Sequence, residues 1–76
     1  MKISIEYCNG WNYLPKASSL EQHLKAKYDG VDIELISSGG GVFEVTLNNK
    51  LIFSKKSLGR FPDDGEIDNL IDKAIA

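Results

Sequence analysis

Ile3-Ser4-Ile5-Glu6-Tyr7-Cys8-Asn9-Gly10-Trp11 is the stretch from which the rest of the chain can be read. Ile3, Ile5 and Tyr7 alternate with Lys2, Ser4 and Glu6, the period-2 pattern of a strand with one face against a core. Asn9-Gly10 then turns the chain. Beyond it Tyr13, Leu14, Ala17, Leu20, Leu24 and Tyr28 recur at three- and four-residue spacing, with Lys16, Glu21, Gln22, Lys25 and Lys27 between them. That spacing predicts an amphipathic helix closed by Asp29-Gly30. Pro15 fits only the first turn of a helix, so regular helical hydrogen bonding begins no earlier than about Trp11, with Asn12 as the expected N-cap.

The remaining elements follow in order. Val31, Ile33 and Leu35 alternate with Asp32 and Glu34 and predict a second strand, parallel to the first because a helix connects them. Residues Ser37 to Gly41 interrupt the pattern. Phe43, Val45 and Leu47 alternate with Glu44 and Thr46, and Leu51 to Phe53 continue after Asn48-Asn49. Asparagine tolerates positive φ, which a type I′ turn requires, so these two strands form an antiparallel hairpin. Pro62 and Asp63 lead into Ile67, Leu70, Ile71, Ala74 and Ile75, a second helix with an expected Asp63/Glu66 capping box. The order β-α-β-β-β-α predicts an α/β (α+β) single domain spanning residues 1–76, with a four-stranded mixed sheet and two helices packed on one face.

Composition excludes several functions. The net charge of −2 argues against general nucleic-acid binding, which needs a clustered excess of Lys and Arg. The polar residues alternating through Lys2 to Glu6 argue against a signal peptide or membrane span. One cysteine cannot close an intramolecular disulfide, which points to a cytoplasmic protein. One Cys and one His do not supply the ligands that zinc needs, so neither metal nor cofactor is expected.

Cys8 is the first candidate functional residue, because a thiol at a strand-to-helix junction can be activated by helix N–H groups. Its competing reading is a buried, inert small hydrophobe. The adjoining turn and the strand parity, which sets Cys8 on the face opposite Ile3, Ile5 and Tyr7, favour an accessible thiol. Pro15 delays the helix and weakens that activation. His23 lies several turns along the helix and reads as a solvated or half-buried helix residue. Ser37-Ser38-Gly39-Gly40-Gly41 lacks the Lys-Ser/Thr pair and the following helix of a phosphate loop. Lys55, Lys56 and Arg60 form a basic cluster that reads as a solvated loop, offset by Asp63, Asp64 and Glu66.

Several separated segments together resemble one family. Ile5-Glu6-Tyr7-Cys8 with Ala17 downstream, Gly40-Gly41-Val42-Phe43-Glu44-Val45, Leu51-Ile52-Phe53-Ser54-Lys55-Lys56 and Gly59-Arg60-Phe61-Pro62 are similar to the selenoprotein W-like group (the SelT/SelW/SelH or Rdx family). The resemblance implies a thioredoxin-like fold and a C-x-x-C or C-x-x-Sec motif after the first strand. Cys8 matches its first position and Trp11 occupies the second, so the resolving group is missing. The implied chemistry is therefore monothiol: a mixed disulfide of Cys8 with glutathione, as co-substrate, or with a partner protein. An exposed Cys8 would also allow an oxidised dimer in vitro; the sequence sets no oligomeric state.

The resemblance also implies that Gly40, Gly41 and Val42 lie beside Cys8, where their backbone can hold an extended substrate. Trp11 reads either as an aromatic filling space at the helix start or as an exposed recognition residue. The alternative function is a non-catalytic protein-binding module that keeps the fold without the redox activity.

Overall fold

The computed structural model describes residues 1–76. The elements run β1 (Lys2–Cys8), α1 (Leu14–Lys27), β2 (Asp32–Ser38), β3 (Phe43–Leu47), β4 (Lys50–Ser54), α2 (Lys55–Leu58) and α3 (Glu66–Ile75). The alternating N-terminal stretch forms an interior strand of a four-stranded sheet of order β2-β1-β3-β4. It pairs parallel with β2 from Lys2↔Asp32 to Cys8↔Ser38, and antiparallel with β3 from Ile3↔Leu47 to Tyr7↔Phe43. The sheet is mixed, as the strand-helix-strand-hairpin order predicts.

That register gathers the apolar side chains on one face. Ile3, Ile5 and Tyr7 of β1 are buried with Phe43, Val45 and Leu47 of β3 and Phe53 of β4. Ala17 and Leu24 of α1 and Ile67 and Ile71 of α3 complete the same cluster, so both helices cover this one face. The apolar stripe decides which face a helix buries, and burying one Leu or Ile side chain is worth about 1.5–3 kcal/mol. The opposite face of the sheet presents Lys2, Ser4, Glu6, Glu34, Glu44 and Thr46, none of which is buried.

The hairpin forms at Asn48 and Asn49, with φ of 49° and 71°, the two consecutive left-handed residues of a type I′ turn. The N–H of Asn48 donates to the Lys2 carbonyl (2.8 Å) and its Oδ1 accepts from the Lys2 N–H (2.9 Å). The turn is thereby tied to the start of β1. A register shift between Val45 and Thr46 lets Ile52 bulge from β4.

Four boundaries depart from the sequence-based expectation. Strand β2 runs through Ser37 and Ser38, because pairing with β1 continues past the end of the alternating pattern. Helix α1 starts later than an Asn12 cap requires. Its N-cap is Tyr13, and Asn12 sits at φ 59° inside the preceding turn. The N–H groups of Asn12 and Tyr13 close that turn on the carbonyls of Asn9 and Cys8, at 3.1 Å each.

The stretch read as an irregular basic loop contains α2. Ser54 Oγ accepts the Ser57 N–H (3.0 Å) and Gly59 closes the turn at φ 74°, a start and a stop signal five residues apart. The Asp63/Glu66 capping box forms only in half. Glu66 Oε1 accepts the Asp63 N–H (2.9 Å), while the N-cap is Gly65 at φ 78° and no side chain caps the helix. Glu66 is held instead in a two-point pair with Arg60, at 2.7 and 2.9 Å.

Helices α1 and α3 are joined by polar contacts at the rim of the core. His23 Nε2 lies 2.7 Å from Asp68 Oδ2 and Lys27 Nζ 3.2 Å from the same oxygen. Tyr28 Oη donates to Asp72 Oδ1 at 2.6 Å. Burial pushes the Asp68 carboxyl up, but the hydrogen bonds from His23 and Lys27 outweigh it and leave Asp68 below the ordinary carboxylate range. The Arg60 hydrogen bonds, with the Asp63 N–H, lower Glu66 to about 2.

Both groups are depressed, so each stabilises the fold above its ordinary carboxylate pKa and loses that contribution as pH falls through its folded value. The expected outcome is an acid-labile fold in which Glu66→Gln differs from wild type at neutral pH. Thermal midpoints measured from pH 7 downward should show that difference shrink between pH 4.5 and about 2. A difference that stays constant over this range would exclude the pair as its source.

Candidate functional site

The site forms where the β1 ladder loses its second partner. Strand β3 begins at Phe43, opposite Tyr7. Cys8, one residue further, keeps its ladder only with Ser38 of β2 and donates its N–H to the Val42 carbonyl (2.9 Å). The next donor, the Asn9 N–H, reaches the Ser38 carbonyl at 2.9 Å. The loop after β1 and the loop before β3 are therefore stitched together at Cys8.

Trp11 adds a side-chain contact across the same gap. A Cβ placed on Gly41 would lie 2.7 Å from Trp11 Cζ3 and 3.0 Å from Trp11 Cε3, so the indole rests directly on the Gly41 backbone. Gly41 is buried at φ 71°, and it is required twice, by its dihedral and by the ring above it. Gly40 shares the left-handed geometry at φ 70° but is exposed, with open space around it.

Of the residues singled out from sequence, Cys8, Trp11, Gly41 and Val42 come together here, and Gly40 stands at the edge of the turn. The Val42 carbonyl is engaged by Cys8 itself.

The accessible thiol expected from the turn and from strand parity is not observed. Cys8 is 1% exposed, although it lies outside the main apolar cluster. Parity sets it on the sheet face without helices, yet it is buried at the end where the loop after β1 and the loop before β3 meet. Trp11 is 65% exposed while covering Gly41, so it serves both as filler and as exposed surface. His23, paired with Asp68, is committed to the helix-helix contact.

One set of residues was not grouped by sequence reasoning. Tyr13, whose N–H donates to the Cys8 carbonyl (3.1 Å), packs edge-on against Phe61 with centroids 4.7 Å apart, and Phe61 packs on Phe43 at 5.4 Å. Trp11 meets Tyr13 edge-on at 6.2 Å. An aromatic row thus leads away from the Cys8 loop. Lys16 and Lys55 point their ammonium groups at it, 4.6 Å and 5.4 Å from the Phe61 centroid. Beside it an open groove of about 550 Å³ runs between α1 and the segment from Phe61 to Asp68, and Cys8 does not line it.

Comparison with known proteins follows this geometry. The Rdx family profile matches residues 2–73. The chain is 32% identical over 74 residues to "Migration and invasion enhancer 1" of Bos taurus, covering 97% of this chain and 64% of that protein. It therefore spans just under two thirds of that relative's length. It is 29% identical over 76 residues to "Selenoprotein W" of Gallus gallus, covering 93% of this chain and 88% of the relative. The crystal structure of a selenoprotein W-related protein from Vibrio cholerae superposes with a TM-score of 0.91 at 26% identity, covering 99% of this chain and 96% of that one.

The Trp11–Gly41 contact generates a stability prediction. Gly40→Ala should cost about 1–2 kcal/mol, the usual penalty for a Cβ in the left-handed region. Gly41→Ala should cost more, because the indole must also leave. In a Trp11→Ala background the two glycine substitutions should become equal, as measured by urea unfolding. Equal costs in the wild-type background would show that the ring does not rest on Gly41.

Proposed function

This chain belongs to the Rdx family, a redox-related group, and on that premise we propose that it is a thiol-redox or redox-sensing protein acting through Cys8 alone. The observation that carries the reading is the pair of positions at the end of β1. Cys8 stands where the family resemblance sets the first thiol, bound through its backbone to Val42 and Tyr13, and Trp11 stands where it sets the second.

The reaction is thiol-disulfide exchange. The Cys8 thiolate attacks one sulfur of an external disulfide, of glutathione or of a partner protein. The Cys8 Sγ–S bond forms as the external S–S bond breaks, and the departing thiolate takes up a proton. A second external thiol then attacks the mixed disulfide, forms a new disulfide with the bound group and returns Cys8 to its reduced form. Glutathione serves as co-substrate in such a cycle, and a reducing compartment such as the cytoplasm supplies the second thiol.

The burial of Cys8 requires that the site open before attack. Trp11 is the movable part, because its ring lies on a loop backbone with most of its surface in solvent. The same burial favours the second reading, a protein-binding module with an inert cysteine, and one measurement separates the two.

Incubation of the native protein with oxidised glutathione, followed by intact-protein mass spectrometry, should add one glutathionyl group. A reducing thiol should remove it, Cys8→Ser should abolish it, and Trp11→Ala should speed its formation. A Cys8 that is modified only after denaturation would overturn the redox reading in favour of the binding module.

A further inference from the structure

We propose that the partner recognised beside Cys8 is an acidic peptide segment, carrying carboxylates near its reactive sulfur and held by Lys16 and Lys55 across the Trp11–Tyr13–Phe61 aromatic row. The inference rests on the reading of Cys8 as an exchange centre and names the class of protein segment that this centre takes.

Position is the first argument. Tyr13 is one hydrogen bond from the Cys8 carbonyl, and its ring contacts both Trp11 and Phe61. The row therefore starts on the turn that follows Cys8, and a segment bound at that turn can extend along it. Lys16 Nζ stands 4.6 Å from the Phe61 centroid, and Lys55 Nζ stands 5.4 Å from that centroid and 5.5 Å from that of Tyr13. The two ammonium groups share a ring, which confines them to one neighbourhood. A cation against a ring face is partly desolvated and keeps donors free for a further acceptor.

Charge is the second argument. Lys16 and Lys55 form no ion pair, and neither does the adjoining Lys56, whereas nearby Arg60 is paired with Glu66, Lys25 with Glu21, and Lys27 with Asp68 and Asp72 of α3. Asp63 and Asp64 line the neighbouring groove; Asp63 Oδ2 faces Arg60 at 3.8 Å, which leaves Asp64 as the one unpaired carboxylate to set against the two cations. The chain as a whole does not attract acidic ligands. Its net charge is −2, and Glu6 and Glu44 face each other across β1 and β3 on the sheet surface without helices. Neighbouring unpaired cations set against aromatic rings, in a molecule of net negative charge, favour an acidic segment at this place.

Surface chemistry is the third. Trp11 and Leu14 next to the row, and Leu58 on the one-turn helix that carries Lys55, are exposed. Aromatic and aliphatic side chains next to unpaired cations are the composition of a recognition surface rather than of a solvated loop.

The test uses the full chain and fluorescein-labelled peptides of about ten residues in extended form. In them the cysteine is replaced by serine and the flanks are Glu, Gln or Lys. Fluorescence anisotropy should show the Glu peptide binding about tenfold or more tightly than the Gln peptide at low salt, with the preference lost near 0.5 M NaCl. The double variant K16A/K55A should abolish the preference and K16E/K55E should reverse it. If either variant fails to fold, the salt and flank series on the wild-type chain decides alone.

Equal binding of Glu and Gln peptides, preference for the Lys peptide, or a preference that survives K16A/K55A would overturn the proposal. Because these peptides carry no thiol, an unreactive Cys8 in the glutathione experiment leaves this result unaffected. A reactive Cys8 without acidic preference overturns only the present inference.

Discussion

Strand β1 is hydrogen-bonded along both edges, and the rest of the structure depends on that double pairing. Its register with β2 and β3 sets Ile3, Ile5 and Tyr7 against Leu47, Val45 and Phe43 on one face. A slip of one residue would turn all of them toward solvent. Both helices dock on the face so formed. The site arises from the same pairing where it ends: β3 begins only at Phe43, opposite Tyr7, β1 continues to Cys8, and the bond from Cys8 to Val42 brings two loops together. The candidate functional residues are those left over when one ladder is a residue longer than the other.

Much of this was legible in the sequence because the signals were periodic or chemically specific. Alternation in Lys2 to Tyr7 and Phe43 to Leu47 gave the strands, and Asn48-Asn49 gave the hairpin with its two left-handed residues. The three- and four-residue stripe gave both helices and their shared face. What escaped depends on contacts between distant segments. The α1 start moved because Tyr13 and Asn12 use their N–H groups to close the turn on Cys8 and Asn9, and the α3 cap moved because the Asp63 carboxylate faces Arg60 and makes no bond to the helix start. The turn of α2 was written in Ser54 and Gly59 but was too short for any periodic pattern.

The site was legible in membership but not in exposure. Cys8, Trp11, Gly41 and Val42 were gathered by family resemblance, and their proximity is physical. Strand parity assigned Cys8 to the uncovered face, and local geometry cannot tell that two loops meet at that end of the face. The aromatic row through Tyr13, Phe61 and Phe43 was hidden for a related reason. Tyr13 reads as part of the helical stripe and Phe61 as part of a loop, and only their packing at 4.7 Å joins them.

Trp11 in place of a second thiol changes what the proposed cycle can report. A resolving thiol three residues from Cys8 would attack the mixed disulfide intramolecularly, at an effective concentration far above that of thiols in solution. The mixed disulfide would then be brief whatever the surroundings. With Trp11 there, release depends on an external thiol reaching a sulfur at the meeting of two loops, so the lifetime of the adduct follows the concentration of that thiol. Such a centre is poorly suited to rapid disulfide reduction and well suited to holding a partner for as long as the surrounding pool stays oxidised. In the proposed cycle the indole that stands in place of a resolving thiol also packs on Gly41, in the loop whose Val42 carbonyl accepts the Cys8 N–H. Under that proposal, slow release follows from Trp11 at the second position and restricted access from the burial of Cys8.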